Sequence, residues 1–586
     1  MDTQVSLICF QNELKTRNLN GYIIPRSDIF GDEEVQPANE RLYSISGFSG
    51  SAGLAIIIEK KAKIFVDGRY ILQVKKEVSN QWDVGFLKKS LIIDWLKKNV
   101  KEKSIIGFDP WILRAAELVN LSSELLISKI KLQKVSIKIF DKLWLNRPKT
   151  VQSKSILWNE NYFGQDSKLK VAKLCKKMDE ENLEALFISK SSQICWLLNL
   201  RGKDLKFSPL IQAFAIILSD KSIHLFVGDK SKLEFDQNLI TIYNISSLKS
   251  FIAKLNISNI SLKLEKTPFI IYELLKKKNV KIVSNFTFLE ENFSIKSRDE
   301  IELIRNVHIR DGVALVKFLF WLKNNICKKI SIDEFQAAQK LSSFRAYDDK
   351  FVSDSFPTIS ASGQNSAIVH YKPTQYSKSL IKREDLFLID SGGQYFDGTT
   401  DITRTISFKI QNNEIKKTYT RVLQSHIALA TAVFPEQTKG NELDIISRQN
   451  LWKHGLDYNH GTGHGVGYFL EVHETPPSIS RNSIDQIKKG MLVSNEPGYY
   501  KEGGFGVRIE NLMIVDDYKI VDGLNFLKFK TLSLCPLENS LIVNNLLAIN
   551  EKKWINNYHL KVRKKIAPFL TDLEREWLFK NTEKLL

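Results

Sequence analysis

Cysteine is scarce in this chain. Five thiols, Cys9, Cys175, Cys195, Cys327 and Cys535, are spread through 586 residues. Their number is odd and no CxxC pair occurs. That argues against a disulfide framework and a thiolate zinc site, and fits a reduced, cytosolic compartment. Long hydrophobic runs are missing too: no stretch approaches the roughly eighteen apolar residues of a membrane span. The opening MDTQVSLICFQNELKTRNLN has no continuous apolar region and no small-residue cleavage site, so it predicts an amphipathic helix rather than a signal peptide. Acid is in deficit, with 66 Asp and Glu against 85 Lys and Arg, a formal charge of +19. Such an excess suits nucleic acid or an acidic membrane surface, but no RNP-like aromatic pattern or zinc-finger spacing accompanies it. Doublets such as Lys60-Lys61 are scattered over solvated faces. The longest run, Lys276-Lys277-Lys278, ends a predicted helix, where cations suit the dipole. We expect neither a nucleic-acid nor a membrane partner. Low-complexity segments and short repeats are also absent.

What remains is globular, and its length predicts two to four domains. Over 1–150, short strands (GYIIP, LAIIIE, KIFVDG, IIGFDPW) alternate with helical patterns at 70–78 and in SLIIDWLKKNV, the pattern of an α/β domain. Pro110 is expected to open a helix. A polar, Pro-containing stretch from Asn146 reads as a linker. The α/β pattern restarts over 151–295, with a helix from about 168 to 182, the strands ALFISK, FAIILSD and IHLFVGD, and a helix-like SSQICWLLNLRG. The order echoes the first domain, which suggests a duplicated module. A long amphipathic helix at 296–322 opens a third domain, 296–525. The tail, 526–586, carries helices at 552–566 and 572–584.

The chemistry lies in the third domain. DLFLID ends a strand at Asp390. SGGQYFDGTTD turns the chain back through three glycines and a DG step, and ITRTISF returns as a strand. Asp390 and Asp401 can therefore face one point, although two Asp at a turn are more often caps. NHGTGHGVGYFLEVHE is denser: His460, His464 and His473 fall within fourteen residues of a chain with nine histidines. Clustering on that scale points to metal or acid–base use. Glu496 ends the strand before Pro497. GVRIENLMIV reads as one strand whose alternation puts Arg508 and Glu510 on the same face. His370, in the polar loop SFPTISASGQNSAIVHYKP, carries little signal alone. Asp390, Asp401, His464, Glu496 and Glu510 together form a ligand set of hard oxygens and one imidazole. It suits two divalent ions sharing bridging carboxylates, and so metal-assisted hydrolysis.

These segments together resemble the Xaa-Pro aminopeptidases of the pita-bread metallopeptidase family M24B, in their long three-domain cytosolic form. The likeness spans nearly the whole chain. It rests on SGFSGSAG, VDGRYILQ, WLLNLRG, SFPTIS, DSGGQYFDGTTDITRT, HGTGHGVG, VHE, NEPGYY, GVRIEN and WINNYH. The implied fold is two creatinase-like α/β domains, then a pita-bread catalytic domain of mixed α+β type with a helical C-terminal extension. The implied activity is removal of the N-terminal residue ahead of proline by a dimetal-activated hydroxide, with Mn2+ as the ion. Prolidase, which cuts Xaa-Pro dipeptides, is the runner-up, and a catalytically inactive binding relative is weaker still because all five ligands are kept. The resemblance implies that Asp390 binds one metal, that Asp401 and Glu510 bridge, and that His464 and Glu496 bind the other. Glu496 would also carry the proton. His370 and His473 would hold the scissile carbonyl and its oxyanion, His460 would line the proline side, and Arg508 would support the site electrostatically. Peptide substrates, a cytoplasmic location and a homodimer are the remaining expectations.

Overall fold

The structure is a computed structural model that describes residues 4–156, 158–233 and 240–586. The chain separates into two compact units. One comprises Met1–Leu157 and Asp166–Leu289, the other Trp158–Gln165 and Glu290–Leu586.

The first unit contains two six-stranded sheets built to one plan. Within each, numbered in chain order, the strands lie 4-3-2-1-5-6. Strand Gly21–Pro25 pairs antiparallel with Gly53–Ile58, which pairs antiparallel with Ala62–Val66, and Gly21–Pro25 pairs parallel with Ile105–Phe108. Ala185–Ile188 repeats this with Ala213–Leu218, Ile223–Val227 and Asn259–Ser261. Central strands such as GLAIII and AFAIIL are apolar throughout because helices cover both faces of a mixed sheet. The echo in sequence is thus a repeat in topology. Pro110 does not open a helix: Trp111 N donates to Asp109 Oδ1 in a turn, and the helix begins at Ala115, three residues past that turn's Ile112. The Asp109 carboxylate holds the backbone in the turn that proline was expected to convert to helix.

The second unit opens with the helix Arg298–Cys327, capped by Ser297, whose Oγ accepts from Glu300 N while Glu300 returns a bond to Ser297 N. It packs with Glu334–Arg345. A second helical pair, Asn413–Ala430 with Gly440–Trp452, follows the central strands. The strands between and after them form the sheets that carry the functional residues. Leu386–Ser391 lies between Ile359–Ser362 and Ile402–Ser407. Leu492–Asn495 lies between Gly463–Gly465 and Asn511–Val521. The segment expected as one strand, GVRIENLMIV, is broken. Gly506–Arg508 pairs with Gly498–Tyr500, and a new strand starts at Asn511 on Leu492–Asn495. The chain changes partner at Ile509-Glu510, where Ile509 N donates to Pro497 O and Glu510 N to Thr403 O. The tail helices Ile549–Ile566 and Asp572–Asn581 close the apolar core behind these strands through Ile555, Val562, Ile566 and Leu578. No helix among the described residues is long and apolar enough to cross a membrane.

Candidate metal centre

Strand register brings the acids together. Asp390 lies opposite Thr403 on neighbouring strands, so Asp401, two residues before Thr403, reaches the same end of the sheet. Asn495 lies opposite Asn511, which sets Glu496 and Glu510 side by side just outside their strands. His464 comes from Gly463–Gly465. A Cβ at Gly463 would stand 2.1 Å from the Ser494 carbonyl oxygen, so only glycine lets this strand approach so closely. Three overlapping groups result, each with donor atoms within 4.8 Å of one another: Asp390, Asp401 and Glu510; His464, Glu496 and Glu510; Asp401, His464 and His473.

The donor chemistry tests whether cations fit here. Asp390 Oδ2 accepts from Arg508 Nη2 at 2.6 Å, and Glu510 Oε2 accepts from Thr403 Oγ1 at 2.8 Å. Their second oxygens, Asp390 Oδ1 and Glu510 Oε1, are buried with no hydrogen-bond donor. His464 Nδ1 lies 2.8 Å from the Gly465 carbonyl oxygen, which can only accept, so the ring proton is on Nδ1. Nε2, 3.5 Å from both Asp401 Oδ2 and Glu496 Oε1, is left to hold a proton or a metal ion. Either cation relieves the repulsion between the two carboxylates that this nitrogen faces. Four acids, two orphaned oxygens and an aimed imidazole fit the coordination set of a dinuclear centre, and a backbone-fixed histidine is typical of metal ligands.

Electrostatics lead to the same reading. Burial pushes the Glu510 carboxyl well above the usual range, and Asp401, Asp390 and Glu496 add repulsion. Burial likewise raises Asp390, against the pull of Arg508. Glu496 is pushed up to about 7, by burial first, with His464 and Arg508 opposing. A divalent ion reverses each of these shifts by supplying the missing charge.

Several residues beside the centre gave no sign in the sequence. Thr403 Oγ1 accepts from Arg508 Nε at 3.1 Å while donating to Glu510. Tyr500 OH accepts from Arg508 Nη1 at 2.7 Å and lies 2.9 Å from His460 Nε2. Because His460 Nδ1 faces the Gly461 carbonyl at 2.7 Å, the phenol donates to Nε2. A continuous line His460–Tyr500–Arg508–Asp390 follows. Arg404 is fully buried and meets only neutral acceptors: Glu510 O at 2.6 Å, Thr403 O, Asn511 Oδ1, Cys535 O, Pro536 O and Tyr558 OH. Glu474, next to His473, is buried against Lys296 at 2.6 Å. The rings of His464 and His473 meet edge to face at 4.4 Å. His370 lies on the turn after Gly363–Ala367. That segment is drawn against the site strand: Gly506 N donates to Ser366 Oγ, and a Cβ on Gly506 would stand 1.8 Å from Ser366 O.

A carboxylate-rich dinuclear metal hydrolase is the class this fold and site define. Comparison with known proteins is specific. The model of metallopeptidase family M24 matches residues 302–517, and that of the C-terminal region of peptidase M24 matches 525–585. Two models of the creatinase/prolidase N-terminal domain match 9–142 and 146–300. The probable Xaa-Pro aminopeptidase P of Laccaria bicolor is 37% identical over 601 residues, covering 99% of this chain and 93% of that one. Aminopeptidase P2 of Arabidopsis thaliana is 35% identical over 612 residues, covering 97% and 86%. The solved X-prolyl aminopeptidase from Caenorhabditis elegans, described as a cytosolic enzyme with a di-nuclear active site, superposes with a TM-score of 0.94 at 28% identity and 99% coverage of each chain. The chain belongs to metallopeptidase family M24, with creatinase/prolidase-type N-terminal domains ahead of a pita-bread domain.

Proposed function

We propose that this chain is an Xaa-Pro aminopeptidase, a hydrolase releasing the first residue of peptides whose second residue is proline. The observation that carries this is the convergence of Asp390, Asp401, His464, Glu496 and Glu510 with two donorless oxygens, in a chain alike end to end to aminopeptidases P. Asp390, Asp401 and Glu510 would hold one divalent ion, and Asp401, His464, Glu496 and Glu510 the other, with Asp401 and Glu510 shared. When bound, such a pair supplies a water that is acidic near neutral pH and a Lewis-acid clamp on the reacting oxygens.

The side chains do the rest. Glu496, part-exposed and itself one of the ligands, takes the proton from the attacking water and delivers it to the leaving proline nitrogen. His473, packed on His464, and His370 donate to the carbonyl oxygen of the first residue as negative charge develops there. The His460–Tyr500–Arg508–Asp390 line fixes Asp390 in place and gives the proline side a rigid polar wall. Mn2+ suits the hard oxygen set. The free cysteines and the relative described as cytosolic support a cytoplasmic location. A homodimer rests on the family likeness, and sedimentation showing only a 67.4 kDa species at micromolar concentration would exclude it.

The deciding experiment compares a tripeptide Xaa-Pro-Yaa with the dipeptide Xaa-Pro and the control Xaa-Ala-Yaa, each with and without Mn2+. Metal-dependent release of Xaa from the proline tripeptide alone is expected. Cleavage of only the dipeptide would make the chain a prolidase.

A further inference from the structure

A second concavity lies in the catalytic unit. It has a volume of about 430 Å³ and lies between the helix Arg298–Cys327, the strand Leu524–Thr531 with the residues after it, and the tail helix Ile549–Ile566. None of the five metal-centre ligands lines it. Its floor is apolar and flat: Ile309, Leu532 and Leu534 lie beside Trp554, whose indole stacks parallel on the Tyr558 ring at 5.3 Å. Its rim is cationic: Arg305, Lys530, Lys561 and Lys565 against a single acid, Glu302.

The rim charges are not balanced. Arg305 is paired with Glu302 at 3.0 Å, and Lys530 is paired with Asp516. Lys561 donates to the Thr531 carbonyl at 2.6 Å, a neutral acceptor. Neither Lys561 nor Lys565 forms an ion pair among the described residues. The Lys561 amine is lowered from its ordinary range by partial removal from water and by the neighbouring charges of Arg305 and Lys565. Three cations held close over an aromatic floor, with one acid between them, form a surface that is relieved by an anion. The volume falls within the range of small-molecule sites, and the floor requires the anion to carry a flat, apolar body.

We infer that this concavity is a binding site for a small aryl anion, with the ring lying over Trp554 and Leu532 and the negative group between Lys561 and Lys565. Arg305 completes the cradle, since a guanidinium can serve Glu302 and a ligand oxygen at once.

The test uses the full-length, Mn2+-loaded protein and 1-naphthyl phosphate as probe in titration calorimetry. 1-Naphthol supplies the ring without the charge, and inorganic phosphate the charge without the ring. Saturable binding of 1-naphthyl phosphate, with both controls at least about tenfold weaker, is expected. The double variant K561E/K565E should lose that binding by about tenfold or more while cleaving the proline tripeptide at the native rate. Because Lys561 also holds the Thr531 carbonyl, the single variant K565E is measured beside it and should show the same direction of loss. Three results would overturn the inference: no binding to the native protein; binding unchanged in K561E/K565E and K565E but lost on removing Mn2+, which would place the anion at the metal centre; or inorganic phosphate binding as tightly as the aryl ester. A change in sedimentation of K565E without loss of probe binding would make this face a protein contact and would also overturn it.

Discussion

Acids are gathered inside both units of this protein, with opposite consequences. In the first unit, Asp28 and Asp32 are buried where the two sheet modules meet. Asp28 Oδ1 accepts from Phe30 N and Gly31 N, both at 2.9 Å, and its Oδ2 accepts from Gln212 Nε2. Asp32 Oδ2 accepts from Ser191 Oγ at 2.8 Å and from Gln212 Nε2 at 3.2 Å. Arg114 closes the cluster by donating to Ile29 O and Asp28 O. Donors fixed by the fold meet both Asp28 oxygens and Asp32 Oδ2, so the cluster is cement between modules. In the second unit, Asp390 Oδ1 and Glu510 Oε1 have no donor, and one histidine nitrogen faces two more carboxylates. Burial of acid alone does not mark a functional site. Several acids converging on one point with an imidazole, two of their oxygens donorless, do.

The largest effect that would break this contrast is at the shared ligands. Asp401→Ala or Glu510→Ala should abolish tripeptide cleavage and lower bound metal, measured by elemental analysis of dialysed protein. Full activity in either would sink the dinuclear reading. His473→Ala should keep its metal and lose about 10²–10³-fold in kcat, the scale of one oxyanion donor. Metal loss there would mean that the imidazole is a ligand. Arg404→Met leaves a ring of buried acceptors without a donor and should destabilise the catalytic unit by about 3 kcal/mol or more. An unchanged denaturation midpoint would show that those carbonyls find other partners. Asp32→Ala, in the matched cluster, should cost only about 1–3 kcal/mol and leave metal content and kcat untouched. A loss of metal would erase the distinction between the two clusters.

The smallest effect is a proton count. Glu510 lies well above the carboxylate range and Glu496 near 7 in the metal-free protein. Both are raised above their unfolded values, so their contribution to stability is complete below about 4.5 and is lost as pH rises through about 7 for Glu496. Metal loading at pH 7 should therefore release protons, which calorimetry in two buffers of different ionisation enthalpy will detect. Glu496→Gln should reduce the release and flatten the slope of metal-free stability between pH 4.5 and 7. No release would mean that these acids are already ionised before metal arrives.

Much of this was legible beforehand because strand and turn signals are local. DLFLID and ITRTIS are strand-like runs around a glycine-rich turn, and they do pair, with Asp390 opposite Thr403. Between them, however, the chain is not a plain turn. Gly393–Tyr395 forms a short strand between Gly398–Thr399 and the distant Phe351–Asp354. Alternation was a sound guide to Arg508 and Glu510, which both meet Thr403 Oγ1 or its proton, even though the strand they were assigned to is broken at Ile509. Arg404, Tyr500 and Thr403 were out of reach. A buried arginine among carbonyls has no local pattern, since its six acceptors come from segments spanning 403–558. Helix starts failed where a side chain captured the backbone first, as Asp109 does after Pro110.

The Arg404 contacts also bear on the order in which the molecule is finished. All five ligand residues have been translated once residue 510 leaves the ribosome. The Cys535 and Pro536 carbonyls and the Tyr558 hydroxyl, which hold the guanidinium that grips the Glu510 backbone, come only later. A nascent chain therefore owns every acid of its centre before it owns the clasp that sets one of them. The setting of Glu510 therefore depends on the tail helix as well as on the strands that carry the acids.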